Sequence, residues 1–274
     1  MSSLTFVLLV VAGGLGMLLS FSQARSRAVF AEDGFEEPGR RAVAVGLLAG
    51  VLLLTVAIPF AGGLAGAQAE TRELSLVSVF AVHGMLLFFL ACYYALSGRR
   101  SFSEFLKLRS PNPARDLTRG VVIGFAGWIV TILSAIVLLG VWYIVSHRFR
   151  GEAGGGSVSP LIVWLVSRSL WMKLSIVFSA MVVEELFFRS FLQTRVGPVA
   201  ATLMFTAAHG SYGQPLMLIG ILVISTVLSV TFARYRNVLP CIAAHGVFDA
   251  IQMFAVIPWY LHQLGGLGGQ VSQW

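Results

Sequence analysis

Charged residues are scarce in this chain: they make up only 11% of its 274 residues, while hydrophobic residues make up 57%. A soluble domain usually carries about 25% charged residues, so this composition excludes an ordinary soluble globular protein. The two cysteines, Cys92 and Cys241, both lie in apolar stretches, which argues against a structural disulfide or a Cys-x-x-Cys metal site. The chain also lacks a His-Glu-x-x-His sequence, the signature of helical zinc proteases.

Hydrophobic residues instead form long runs, which is the pattern of a polytopic membrane protein. At ~20 apolar residues per span, we expect an all-α transmembrane helix bundle of about eight spans. The stretch 161–195 would reach ~52 Å as a single helix, longer than a ~30 Å hydrocarbon core. Residues 161–171 are therefore expected to form a lead-in, with the span itself starting near Met172. Hydropathy places helices at 4–22, 42–66, 76–97, 120–146, 165–193, 198–213, 215–233 and 238–261.

The net charge of +7 comes from basic residues that lie mostly in loops beside the predicted spans. Such loops carry topology signals, so the charge indicates membrane orientation and not a nucleic-acid partner. The loops 23–41 and 98–119 hold most of the arginines and are expected to face the cytoplasm, with both termini and the Gly-rich loop 151–157 outside. No basic region of a cleavable signal peptide precedes residues 4–22, which are expected to remain as the first span.

Few acidic residues lie in the apolar segments. Of the 12 Asp and Glu residues, only Glu184, Glu185 and Asp249 do so, and His209 and His245 lie in the apolar segments that follow the glutamates. Counted at 1.5 Å per residue from the predicted cytoplasmic helix ends, these groups lie ~12–18 Å deep. Ionisable groups at such depth are costly and are functional by default. Their common level predicts one active site in the C-terminal half of the chain.

Helical spacing separates the two adjacent carboxylates. Glu185 and Arg189 are four residues apart and share a helix face, so their pairing lowers the cost of burying either charge. Glu184 is rotated by about 100° from Glu185 and points to other surroundings. We therefore expect Glu185 and Arg189 to be structural and Glu184 to be free for catalysis. His245 and Asp249 share a helix face in the same way.

A carboxylate and two histidines predict hydrolysis by an activated water. Glu184 could act as the general base with help from His209, while His245 and Asp249 stabilise the oxyanion. Asp249 would have to be protonated to donate a hydrogen bond, and otherwise it would orient His245. Two alternatives stay open: a Cys241–His245 pair as nucleophile and base, and a Zn²⁺ ion held by Glu184, His209 and His245.

These residues resemble the CAAX-protease and bacteriocin-processing family of intramembrane proteases, which includes the Rce1-type prenyl-protein endopeptidases. The family pattern is Glu-Glu-x-x-x-Arg, then Phe-x-x-x-His, then His-x-x-x-Asn or Asp. In this chain the order and the spacing match over about residues 172–255, where the three motifs read Glu184-Glu185-Leu-Phe-Phe-Arg189, Phe205-Thr-Ala-Ala-His209 and His245-Gly-Val-Phe-Asp249.

The resemblance implies a bundle of about eight helices with an active site reached from the cytoplasmic side. It also implies that Glu184 and His209 activate water, that His245 and residue 249 stabilise the oxyanion, and that Phe205 has a supporting role. Two departures concern these motifs. Asp249 in place of Asn leaves the oxyanion role open, and Ser190 stands where the family often has glycine.

On this reading, residues 1–160 hold about four transmembrane helices, 161–262 form the protease core and 263–274 form a short tail. We expect an endopeptidase of the prokaryotic plasma membrane that acts on a membrane-associated or lipidated peptide and requires no metal, with Zn²⁺ as the alternative. His83, the ionisable residue at depth in the first four helices, is expected to be a hydrogen-bonded structural histidine. A proton-coupled transporter would need polar sites in both halves, whereas a non-catalytic protein on the same fold stays open.

Overall fold

The computed structural model describes residues 33–35, 37–64, 76–98, 101–149, 160–212 and 215–268. The predicted first span and the predicted outer loop 151–157 lie outside these residues. Within the described part the chain forms helices and no strand, which confirms the all-α prediction. The helices are α1 (Pro38–Leu52), α2 (Ile58–Leu64), α3 (Leu76–Leu96), α4 (Phe102–Phe105), α5 (Pro113–Phe149), α6 (Pro160–Val166), α7 (Leu170–Glu184), α8 (Thr194–Val196), α9 (Pro198–Ala208), α10 (Pro215–Tyr235), α11 (Leu239–Ile251) and α12 (Ile257–Gly268).

Three π-helical segments and one 3₁₀ turn join some of these helices. The π-helical segments are π1 (Leu53–Ala57), π2 (Glu185–Gln193) and π3 (Gln252–Val256), and the 3₁₀ turn is Gly210–Tyr212. Since π1 and π3 continue directly into the helices on either side, the chain runs helically from Pro38 to Leu64 and from Leu239 to Gly268. The second of these runs extends past residue 261, where the last predicted helix was expected to end.

Four described helical stretches are long and apolar enough to cross a membrane: Pro38–Gly63, Pro113–Val141, Met217–Tyr235 and Leu239–Gln263. A shorter apolar helix covers Phe80–Leu96. Large hydrophobic side chains cover the outer surface of the bundle, as on α5, where Val122 and Ile136 are about 60% exposed. Such a surface suits lipid and not water, so the described part is a helical membrane bundle.

The lead-in before α7 was predicted from the length of the stretch 161–195 and from the interruption of its apolarity by Arg168 and Lys173. In the structure α6 begins at Pro160, the chain leaves helical geometry after Val166, and α7 begins at Leu170. The predicted span start, near Met172, is thus two residues from the observed one. A loop was expected from 98 to 119, but α5 begins within it, because Asn112 Oδ1 accepts a hydrogen bond from the Arg115 N–H and caps a helix that starts at Pro113.

Close packing of α5 on α11 and of α7 on α11 builds the centre of the bundle. Gly124 permits the first contact, since a Cβ on it would lie 2.7 Å from the Ala244 carbonyl oxygen. Gly246 permits the second, because a Cβ there would overlap the Met181 sulfur. These contacts hold α11 beside the end of α7, and they place the motif that begins at His245 next to the adjacent glutamates.

Candidate active site

The two glutamates lie where the backbone changes from α-helix to π-helix. Glu184 ends α7 and Glu185 begins π2, all nine residues of which are buried. π-Helical turns widen a helix locally and occur often at functional sites. The predicted divergence of the two carboxylates is observed: the Glu184 side chain faces His83 and His209, and the Glu185 side chain faces Arg189 and His245.

Glu185 belongs to a fully enclosed group of polar side chains, which we call the ion-paired core and which comprises Glu185, Arg189, Ser225 and His245. Arg189 Nε donates to Glu185 Oε2 at 3.3 Å, and Arg189 Nη2 donates to the Ser225 hydroxyl at 3.0 Å. Glu185 Oε1 lies 2.9 Å from His245 Nδ1. Glu185 and Arg189 are both 0% exposed, so each charge depends on the other for compensation.

Phe205 lies between the ion-paired core and the rest of the site. The Arg189 guanidinium stands over its ring at 4.9 Å from the centroid. The rings of His209 and His245 contact it at centroid distances of 4.7 Å and 5.9 Å. This one aromatic side chain therefore touches all three motifs and lies against both histidines.

His245 is held from both ends. Its Nδ1 lies 2.9 Å from Glu185 Oε1, and its Nε2 lies 3.2 Å from Asp249 Oδ2. The pair predicted from four-residue spacing, His245 and Asp249, is thus in contact. The Asp249 side chain is 30% exposed, so this end of the imidazole reaches the accessible side of the site.

Glu184 was expected to be free, but one of its oxygens is bonded. Glu184 Oε1 lies 3.4 Å from His83 Nε2, on α3. Glu184 Oε2 is buried and has no hydrogen-bond partner among the described residues. It faces His209 Nε2 at 3.8 Å, too far for a direct hydrogen bond. We call the space between these two atoms the Glu184–His209 gap.

A contact at the end of α9 shows which ring nitrogen of His209 carries a proton. His209 comes directly after α9, and its Nδ1 lies 2.8 Å from the Phe205 carbonyl oxygen. A carbonyl only accepts hydrogen bonds, so Nδ1 carries a proton, and with the ring neutral the lone pair lies at Nε2. In that form two acceptors, His209 Nε2 and Glu184 Oε2, face each other across the gap.

The turn that follows His209 is fixed by backbone-to-backbone packing. A Cβ on Gly63 of α2 would overlap the carbonyl oxygen of Gly210. A Cβ on Gly210 would in turn lie 2.7 Å from the Phe60 Cα. The N-terminal helices thus support the position of His209, although they contain none of the three motifs.

The two alternatives left open by the sequence can be compared with this geometry. Cys241 Sγ contacts the Leu228 carbonyl oxygen at 3.5 Å, and both nitrogens of His245 face carboxylates, so no Cys241–His245 pair forms. The Zn²⁺ alternative needs His245 as a third protein ligand, and in this arrangement both nitrogens of His245 face carboxylate oxygens, at 2.9 Å and 3.2 Å. No group of three or more His, Cys, Asp or Glu in the described ranges has an arrangement that could hold a metal.

Sequence reasoning missed three members of the site. His83 contacts Glu184 from α3, and Ser179 contacts His83 in turn. The ring of Tyr212, in the 3₁₀ turn, lies 5.5 Å from that of His209. His83 was visible as an ionisable residue at depth and was expected to be structural. A hydrogen bond from His83 was expected, but Glu184 was not expected as the partner of His83.

Part of this chain is similar to a known protein family. Residues 164–251, about a third of the chain, match the family model described as type II CAAX prenyl endopeptidase Rce1-like. The matched segment is thus similar to an Rce1-like domain. It contains all three motifs and confirms the resemblance predicted from them. No curated protein and no solved structure gives a significant match to the chain.

Proposed function

We propose that this protein is an intramembrane endopeptidase in which Glu184 and His209 activate water to hydrolyse a peptide bond. The Rce1-like domain supports an intramembrane endopeptidase in general. The observation that carries the finer proposal is the Glu184–His209 gap, in which a buried carboxylate oxygen without a described partner lies 3.8 Å from His209 Nε2, an acceptor when that ring is neutral. Facing acceptors need a shared donor, and a water molecule offers two O–H groups.

The proposed reaction uses Glu184 as base and then as acid. Water gives a proton to Glu184 Oε2 while its oxygen forms a bond with the peptide carbonyl carbon. His209 Nε2 accepts the other O–H and orients the attacking lone pair. When the tetrahedral intermediate collapses, the C–N bond breaks, and the leaving amine takes the proton from Glu184.

We assign the oxyanion to the His245 and Asp249 side of the site. In this proposal a protonated His245 carries a proton on Nε2, which Asp249 Oδ2, 3.2 Å away, accepts in the resting protein and which the developing negative charge shares during the reaction. Glu185 holds the far side of the same imidazole, so the donor is fixed before substrate arrives. In this proposal the ion-paired core is the support of the oxyanion donor.

The proposed mechanism requires no metal, because each step uses a side chain already in place. The substrate we propose is a membrane-associated or lipidated peptide that enters from the cytoplasmic side, where the arginine-rich loops place the nearer ends of the catalytic helices. A CAAX-type prenylated peptide is the first member of this class to test, since the matched family is described as acting on prenyl proteins.

The test is peptide cleavage by the purified, detergent-solubilised protein beside Glu184→Gln. The substrates are a fluorogenic farnesylated CAAX peptide, its unfarnesylated form and a hydrophobic peptide without a CAAX end, each with and without a chelator. General-base catalysis contributes about 10²–10⁴-fold, so Glu184→Gln is expected to lose at least that much rate while folding normally.

The outcomes distinguish the proposed mechanism from a zinc-dependent one and from a non-catalytic protein. Cleavage that survives chelation and is lost in Glu184→Gln supports the proposal. Cleavage lost on chelation and restored by Zn²⁺ contradicts the metal-free mechanism. A folded wild-type protein that cleaves no substrate in the panel contradicts the proposed function and favours a non-catalytic membrane protein that keeps the ion-paired core for stability.

A further inference from the structure

His83 lies in the predicted N-terminal half, outside the matched residues 164–251. It is 8% exposed on α3, which packs along α7. Its two ring nitrogens contact two residues of α7: Nδ1 lies 2.5 Å from the Ser179 hydroxyl oxygen, and Nε2 lies 3.4 Å from Glu184 Oε1. His83 thus connects the Ser179 hydroxyl to the Glu184 carboxylate. Two directed hydrogen-bond contacts are more than a buried histidine needs for packing alone.

The hydrogen-bond directions follow from what each group can offer. An ionised carboxylate only accepts, so His83 Nε2 must carry a proton to bond Glu184. In the neutral ring Nδ1 is then the acceptor, and the Ser179 hydroxyl donates to it. Ser179 thereby selects the tautomer of His83 that can bond Glu184.

We propose that His83 is a positioning residue for the catalytic base, an inference that rests on the function proposed above. By holding Oε1, His83 restricts rotation of the carboxylate and keeps Oε2 turned toward His209. An unrestrained carboxylate could exchange its two oxygens by rotating about its last bond, and it could turn either oxygen away from the gap. The N-terminal helices thus contribute to catalysis through a contact that joins residues 101 positions apart.

The experiment measures kcat and KM on the peptide that the wild-type protein cleaves best, together with thermal unfolding. The variants are His83→Leu, which removes the donor, and His83→Gln, whose amide can still donate to Glu184. Ser179→Ala removes the hydroxyl that selects the tautomer. His262→Gln is the matched control, because His262 is an exposed histidine on α12. Glu184→Gln is measured in the same series.

Loss of a side chain that orients a metal ligand typically costs about 10–100-fold in activity, and we take the same scale for a side chain that orients a general base. We expect His83→Leu to lower kcat by about 10–100-fold with KM within about twofold, since His83 aligns the base and does not touch substrate. His83→Gln should recover most of this loss, Ser179→Ala should fall between the two, and His262→Gln should match the wild type.

A purely structural histidine would give a different pattern. His83→Leu and His83→Gln would then both lower the unfolding temperature, and both would keep the wild-type kcat per folded molecule, which overturns the inference. If Glu184→Gln remains active, or if the wild type cleaves nothing, the proposed function fails and the inference fails with it. An inactive Glu184→Gln beside a fully active His83→Leu overturns the role of His83 alone.

Discussion

The ion-paired core contains Glu185, and the Glu184–His209 gap is formed in part by the residue just before it. The two sites differ in whether both carboxylate oxygens of their glutamate have hydrogen-bond partners. Both Glu185 oxygens have partners, one in Arg189 and one in His245, at 3.3 Å and 2.9 Å. Glu184 has one bonded oxygen and one that is buried without a described partner. Buried polar groups are nearly always bonded, so the unsatisfied oxygen calls for an explanation and the satisfied ones do not.

This difference teaches how a membrane protein can bury two neighbouring carboxylates. In the ion-paired core an arginine compensates the carboxylate charge, which lowers the cost of burying it. In the gap the carboxylate keeps an oxygen that no described side chain bonds, and in the proposed mechanism this oxygen binds and activates water. On this account Glu185 contributes to the fold and Glu184 to catalysis.

The largest effect on stability is expected from neutralising the structural member of the pair. Glu185→Gln leaves Arg189 buried without its counter-charge, and breaking a buried ion pair in this way costs about 3–5 kcal/mol. Unfolding in a graded detergent or denaturant series would measure the loss. Replacing both members, as in Glu185→Gln with Arg189→Met, should recover part of it. If Glu185→Gln unfolds at the wild-type midpoint, the ion-paired core is not what stabilises this region.

A smaller effect, on the cleavage rate, is expected from moving the turn that follows His209. Gly63→Ala would push α2 away from the Gly210 carbonyl and shift the turn that holds His209. Misplacement of a catalytic group by about 1 Å can cost about 10²-fold, so cleavage should fall steeply with modest loss of stability.

The neighbouring glycine supplies the control for that experiment. A Cβ on Gly62 would have nothing within 4 Å, so Gly62→Ala should cleave at close to the wild-type rate. Equal rates for Gly62→Ala and Gly63→Ala would show that the backbone contact with Gly210 does not position His209.

The smallest effect is expected at Ser190, beside the ion-paired core, where the family often has glycine. Its hydroxyl is buried and has no hydrogen-bond partner among the described residues. Replacing it by alanine removes an unsatisfied polar group, which is worth about 1–3 kcal/mol, so Ser190→Ala should unfold at a slightly higher temperature and keep its cleavage rate. A clear loss of stability would mean that the hydroxyl is bonded in the folded protein.

Contacts set by short sequence spacing could be predicted, and those set by helix packing could not. Glu185 with Arg189 and His245 with Asp249 are each four residues apart, so helical geometry alone placed them together. The proximity of Glu184 and His209 was predicted from their similar depths, counted along the predicted helices. The contacts of His83 with Glu184 and of Glu185 with His245 depend on how separate helices rotate about their axes, which hydropathy does not specify.

The sequence also did not predict the π-helical backbone geometry of π2. An α-helix was expected through residue 193, but π2 covers Glu185–Gln193 and turns its nine side chains into a buried environment. The close approach of Gly63 to Gly210 was equally hidden, because glycines in apolar helices usually carry no such signal. Depth and spacing therefore brought the residues of the three motifs together, while His83, Ser179 and Tyr212 join them only through tertiary packing.

The most direct test of this account compares cleavage per folded molecule in Glu184→Gln and Glu185→Gln, prepared and assayed side by side. The account predicts that Glu184→Gln folds like the wild type and cleaves about 10²–10⁴-fold more slowly. It predicts that Glu185→Gln is less stable but stays within about tenfold of the wild-type rate per folded molecule, because its amide oxygen can still accept from His245. Wild-type cleavage by Glu184→Gln, or equal losses in both variants, would contradict the division of roles between the two glutamates.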